Sequence, residues 1–129
     1  MLKKNKPKTI LIIEDEKNIL EMYSFKFIEA GYKVLKALDG EIGLNLALTN
    51  KPDLILLDII LPKIDGFTVL NKIRAVKKTK NIPVIMLTNL GQDEDKSKGV
   101  KGGVIGYLVK ANCTPADVVR KVSEILQNI

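Results

Sequence analysis

The chain has 129 residues, 46% of them apolar, enough to bury one core and too few for two ordinary domains. With no histidine and a single cysteine, Cys113, it excludes an internal disulfide, a Cys/His zinc site and any histidine-based triad, which leaves carboxylates, hydroxyls and lysine for whatever chemistry exists. The net charge of +6 comes mainly from lysines scattered among acidic residues, and the six aromatic residues form no basic stacking stripe, so a solvated basic surface is expected and no direct nucleic-acid contact.

The opening "MLKKNKPK" is a basic tail over residues 1 to 8, without the apolar segment or cleavage site of a secretory leader. Wholly apolar runs elsewhere reach only four or five residues, so a cytoplasmic chain with no membrane insertion is expected, folded as one domain over 1–129 with no effector domain. "TILII" at 9–13 is continuously apolar and β-branched, as a strand covered on both faces should be. Glu16 to Ala30 reads as a helix with Ile19, Tyr23 and Phe27 four apart, stopped by Gly31. "YKVLKAL" is a second strand. Asp39 then caps a helix that places Ile42 and Leu46 on one face and ends before Pro52.

"LILL" at 54–57 is the third strand, followed by Asp58. After "LPKIDG", Asp65 caps a helix over Gly66 to Val76 that buries Phe67, Leu70 and Ile73. "IPVIML" is the fourth strand. "GQDEDKSKGVKGG" has Val100 as its only apolar residue beyond glycine, which predicts a short, mobile helix. "YLV" at 107–109 is the fifth strand, and "TPAD" opens the last helix: Thr114 as cap, Pro115 in the first turn, Asp117 closing a capping box, with Val118, Val122, Ile125 and Leu126 buried. Five strands alternating with helices predict an α/β fold, a doubly wound parallel sheet with helices on both faces.

In such a sheet the loops beyond the strands' carboxyl ends line the binding crevice. The first strand ends in Glu14-Asp15, the third in Asp58, the fourth in Thr88 and the fifth in Lys110, which brings five polar groups to one edge. Singly, each has an ordinary reading as a cap, a turn residue or an exposed strand end. Together they are a different matter. An ionised carboxylate away from water costs several kcal/mol, roughly, unless compensated, and Asp58 interrupts the run "LILLDIIL". Three crowded carboxylates with one lysine are short of positive charge, and an oxygen-only, histidine-free cluster suits Mg²⁺.

"IIED" at 12–15, "LLDIILPKIDG" at 56–66, "VIMLT" at 84–88 and "GYLVK" at 106–110 together resemble the receiver domain of two-component response regulators, over essentially the whole chain. The resemblance implies a flavodoxin-like sheet of order 2-1-3-4-5. It also implies that Asp58 is the phosphoacceptor, taking a phosphoryl group from the phosphohistidine of a sensor histidine kinase or a histidine phosphotransfer protein. Asp15 and Asp58 would then bind Mg²⁺ directly, Glu14 mainly through water, and the Ile60 backbone carbonyl would complete the ligands. Thr88 and Lys110 would bind the phosphoryl group. Thr88 and Tyr107 would act as the switch, and output would pass through the face of helix 4, strand 5 and helix 5 to a protein partner or a phosphorylation-dependent homodimer. Ile60, Asn89 and Leu90 would tune the lifetime of the acyl phosphate. The chain would thus be a stand-alone signalling receiver, not an enzyme in the ordinary sense.

Two departures from the family pattern stand beside the site. Asn89 replaces a small residue after the threonine, and Ala111 replaces a proline after the lysine, where retained family geometry would require a cis Lys110-Ala111 bond. Three rivals fit less well. A receiver-like binding module working without phosphorylation predicts erosion of the acidic pair, the acceptor or the lysine, and all are present. A haloacid dehalogenase-type phosphatase needs a second aspartate two residues after the first, where Ile60 stands, and a flavin carrier needs a glycine- and hydroxyl-rich loop where "EDEKN" stands.

Overall fold

The computed structural model describes residues 6–129; residues 1–5 of the expected basic tail lie outside the described residues. The elements alternate as β1 (Thr9–Ile13), α1 (Lys17–Glu29), β2 (Lys33–Ala37), α2 (Gly40–Asn50), β3 (Leu54–Leu57), α3 (Gly66–Ala75), β4 (Val84–Thr88), α4 (Asp93–Lys101), β5 (Gly106–Val109) and α5 (Pro115–Gln127). A 3₁₀ turn over Lys110–Asn112 joins β5 to α5. All pairings are parallel, in the order β2-β1-β3-β4-β5. This is the doubly wound, flavodoxin-like sheet that the sequence and its resemblance predict.

Alternate strand residues feed two cores. Leu11, Ile13, Ile55, Leu57, Val84 and Met86 meet Ala47 of α2 and Val69, Leu70 and Ile73 of α3 on one face. Ile10, Ile12, Leu54, Leu56, Ile85 and Leu87 meet Leu20, Tyr23 and Phe27 of α1 and Val118 and Val122 of α5 on the other. Burial on both faces is why β1, β3 and β4 read as unbroken apolar runs instead of alternating ones.

The caps fall where expected. Asp39 accepts from the Ile42 amide at 2.8 Å, Asp65 from the Thr68 amide at 3.0 Å, and Thr114 from the Asp117 amide at 3.1 Å, with Asp117 returning the bond to complete a capping box. Gly31 takes a φ of +97° after α1, a conformation that costs glycine nothing sterically.

The helix faces differ in places from the periodic reading. In α1 the buried set is Leu20, Tyr23, Ser24 and Phe27, with Ile19 only half-buried; Ser24 is accommodated because its hydroxyl donates to the Leu20 carbonyl at 2.7 Å. In α3, Val69 joins Leu70 and Ile73, while Phe67 is half-buried. The face sharing Ile42 and Leu46 is not the inward one in α2, where Gly40, Gly43 and Ala47 are buried, Leu46 is half-buried and Ile42 is exposed. A Cβ on Gly43 would lie 2.7 Å from Ile13 Cγ1, so this helix sits too close to β1 for large side chains to face inward. In α4 the buried residue is Gly99, set against Tyr107, and Val100 is 71% exposed.

Candidate functional site

Strand register places the acidic groups. Ile13 pairs with Leu57, so Glu14 and Asp58 are the next residues on adjacent strands at the point where the chain reverses its direction of winding. The ladder continues one step further: the Asp58 amide donates to the Ile13 carbonyl at 3.1 Å and the Glu14 amide to the Ala37 carbonyl at 3.0 Å. Both carboxylates are nearly covered, Glu14 at 2% and Asp58 at 7% exposure, while Asp15 is exposed. One carboxylate oxygen of each of Glu14, Asp15 and Asp58 lies within 4.8 Å of the others.

Thr88 pairs with Val109, which sets Lys110 just beyond the sheet edge. Its ammonium donates to Asp58 Oδ2 at 2.6 Å and also to Glu14 Oε1, so one cation bridges the two buried carboxylates. The remaining oxygens are held by backbone, Asp58 Oδ1 by the Ile59 amide at 2.7 Å and Glu14 Oε2 by the Glu16 amide at 3.0 Å. Burial pushes the Glu14 carboxyl above its ordinary value, and the bond to Lys110 only partly reverses that. Burial alone would lower the Lys110 ammonium, but its bonds to Asp58 and Glu14 outweigh it and hold the group above its ordinary value. Lys110 is therefore firmly charged, and it is shared between two anions with a third beside them. A donor set of carboxylate and carbonyl oxygens, without sulfur or imidazole, fits a hard divalent ion such as Mg²⁺.

The other predicted residues surround this cluster. Thr88 is buried at the end of β4, its hydroxyl accepting weakly from the Leu90 amide at 3.4 Å. Tyr107 is half-buried and its hydroxyl donates to the Leu90 carbonyl, which ties the ring to the loop after Thr88. Burial, and then the negative charges of Asp95 and Asp58, raise the Tyr107 phenol above its ordinary value. Ile60 is 62% exposed two residues beyond Asp58, and Leu90 is half-buried against the α2/α3 core. No cis peptide occurs among the described residues, so the cis Lys110-Ala111 bond is not adopted. The reason is elementary: without proline the trans form is favoured by roughly 2.5 to 4 kcal/mol, and the 3₁₀ turn delivers Lys110 to Asp58 with a trans bond.

The family model described as "Response regulator receiver domain" matches residues 10–123. The chain belongs to the response regulator receiver family. Among curated relatives it is 45% identical over 116 residues to the DNA-binding dual master transcriptional regulator RpaA of Synechocystis sp., covering 90% of this chain and 46% of that protein. It is 38% identical over 120 residues to the alkaline phosphatase synthesis transcriptional regulatory protein PhoP of Bacillus subtilis, covering 93% of this chain and 49% of that one. The receiver thus spans about half the length of these relatives. Among solved structures, the chemotaxis protein CheY4 of Vibrio cholerae is 29% identical with a TM-score of 0.86, covering 92% of this chain and 98% of that one. A CheY-like receiver from Methanospirillum hungatei is 28% identical with a TM-score of 0.87, covering 95% of each chain.

Two features of this receiver's site escaped the reading of single residues. Gly66 opens α3 directly against the loop after Asp58: its amide donates to the Ile59 carbonyl at 2.7 Å, and an added Cβ would overlap the Asp58 carbonyl oxygen and lie 2.7 Å from Ile59 Cα. The "DG" at 65–66 marked only a cap. The second is a bond between the two departures, the Ala111 amide donating to Asn89 Oδ1 at 3.1 Å. Ala111, unlike a proline, has an amide to give and Asn89 an oxygen to receive it, but only the fold brings the two together.

Proposed function

We propose that this receiver takes a phosphoryl group onto Asp58 from the phosphohistidine of a sensor histidine kinase or a histidine phosphotransfer protein, with Mg²⁺ as cofactor. The observation that carries this reading is the Asp58 carboxylate, nearly buried at the end of β3, with an ammonium at 2.6 Å and two further carboxylates within 4.8 Å. In the transfer an Asp58 oxygen forms a bond to phosphorus as the phosphorus–nitrogen bond breaks, and the imidazole leaves with that electron pair and takes up a proton. Lys110 balances charge on the phosphoryl oxygens, and the Thr88 hydroxyl donates to one of them. Asp15 and Asp58 would hold the metal directly, Glu14 mainly through water, and the Ile60 carbonyl would complete the protein ligands. When bound, Mg²⁺ supplies the positive charge that phosphoryl transfer draws on most.

Output follows from the same residues. Movement of Thr88 toward the phosphoryl group shifts the 88–90 loop, and Tyr107, bonded to Leu90, moves with it. The face of α4, β5 and α5 then changes for a protein partner or a second copy of the chain. Val100 on α4, 71% exposed, and Ile105 just before β5, 44% exposed, give that region an apolar contact surface. RpaA is named a DNA-binding regulator, and this receiver spans about half of it; by analogy the receiver would act in regulation by changing a contact with a protein surface.

Incubation with acetyl phosphate or phosphoramidate tests the reading. Intact mass should rise by one phosphoryl group with Mg²⁺ and not with a chelator, and Asp58→Asn should abolish the gain. A gain that survives in Asp58→Asn, or that needs no metal, would refute it.

A further inference from the structure

We infer that Asn89 is a positioning residue, whose side chain latches the loop carrying Lys110 to the loop carrying Thr88. The inference rests on the phosphoacceptor reading above, but its structural half does not. The Ala111 amide donates to Asn89 Oδ1 at 3.1 Å, across 22 residues of chain. Tyr107, on the other side of Lys110, donates its hydroxyl to the Leu90 carbonyl. Lys110 is thus bracketed by two bonds, at residues 107 and 111, that both end on adjacent residues of the β4–α4 loop.

The bracket has a mechanical consequence. The 3₁₀ turn over Lys110–Asn112 is short and its last two residues are exposed, so little packing holds it. The ammonium it carries nevertheless has to remain within hydrogen-bond reach of Asp58 and Glu14. A loop that tethers itself to Asn89 reduces the freedom of the Lys110 backbone and fixes its distance from Thr88, whose neighbour Asn89 is. Any displacement of Thr88 is then carried to Lys110 through two covalent steps, Thr88 to Asn89 and Ala111 to Lys110, and the one hydrogen bond between them. Residue 111 can make this bond because it is not proline: a proline there has no amide to give. Asn89 can accept it because its carboxamide oxygen reaches beyond a small side chain.

Two readouts test the latch. In Asn89→Ala the Ala111 amide should lose protection from hydrogen exchange, and Asn89→Asp, which keeps an oxygen at the same position, should retain it. Asn89→Ala should also slow the maximal rate of phosphorylation by acetyl phosphate in Mg²⁺ about three- to tenfold, the scale of one exposed hydrogen bond, with little change in the donor concentration for half-maximal rate. The melting temperature should fall by no more than the few degrees one such bond accounts for, with the unfolding transition still cooperative, which separates positioning from a general loss of fold. An Ala111 amide equally protected in wild type and Asn89→Ala, or a maximal rate unchanged on losing the side chain, overturns the latch. Failure of the wild type to take up phosphate at all would instead refute the phosphoacceptor reading, and the exchange measurement would still decide whether Asn89 holds Ala111.

Discussion

At the scale of single residues, the site is defined by how few cations serve its anions. Lys110 is the ammonium bonded to both Glu14 and Asp58, and removing it leaves two nearly buried carboxylates with one backbone amide each to compensate them. Lys110→Met should therefore destabilise the metal-free receiver by up to about 3 kcal/mol in urea unfolding, the scale of breaking one buried pair. Millimolar Mg²⁺ should restore part of the loss, because it returns positive charge to the same oxygens; an unchanged midpoint in chelator would contradict this account. Two apolar neighbours set the other residue-scale expectation. Ile60 and Leu90 offer no group to orient a water, so the acyl phosphate should decay slowly. Decay should quicken about tenfold, or roughly 1.4 kcal/mol of barrier, in Ile60→Asn or Leu90→Glu. Equal decay in all three proteins would shift control of the water elsewhere.

At the scale of elements, close approach and capping do the positioning. Gly66 lets α3 begin against the loop after Asp58, and Gly43 lets α2 lie against β1. Gly66→Ala meets rigid backbone and should cost about 2 to 3 kcal/mol while disturbing Asp58, whereas Gly43→Ala meets the Ile13 side chain, which can turn aside, and should cost less. Comparison of their unfolding midpoints checks the order. At α5, Thr114→Ala should lose about 1 kcal/mol through the capping box. The bonds from Thr114 hold the Asp117 carboxyl below its ordinary value of 3.8, so it binds protons less readily folded than unfolded. Its contribution is present above that value and is lost as pH falls through the lower folded value. The stability difference between wild type and Asp117→Asn should accordingly shrink on acidification below about pH 4. These helices also mark the limit of pattern reading. Apolar period located α2 and put Ile42 and Leu46 on one face, but it could not register that the inward positions are glycines, Gly43 facing β1 and Gly40 facing Ile64 and Val69.

At the scale of the molecule, the alternation of strands and helices was legible because the inner strands are apolar on both faces and the caps carry their own chemistry. The carboxyl-edge rule then gathered Glu14, Asp15, Asp58, Thr88 and Lys110 before any contact was known, and the structure brings Lys110 onto Glu14 and Asp58. What could not be read were contacts made by backbone groups: the Leu90 carbonyl that receives Tyr107, and the Ala111 amide that finds Asn89. Backbone donors and acceptors are the same at every residue, so only the fold says which ones meet. The central claim, that Asp58 is a Mg²⁺-dependent phosphoacceptor, has a direct chemical test. Borohydride reduces an acyl phosphate to an alcohol, converting a phosphorylated aspartate to homoserine in place. After treatment with acetyl phosphate and Mg²⁺ and then borohydride, peptide mapping should find homoserine at position 58 and nowhere else, and none when a chelator replaces the metal. Homoserine at another carboxylate, or an intact Asp58 in protein that has gained a phosphoryl group, would contradict the account.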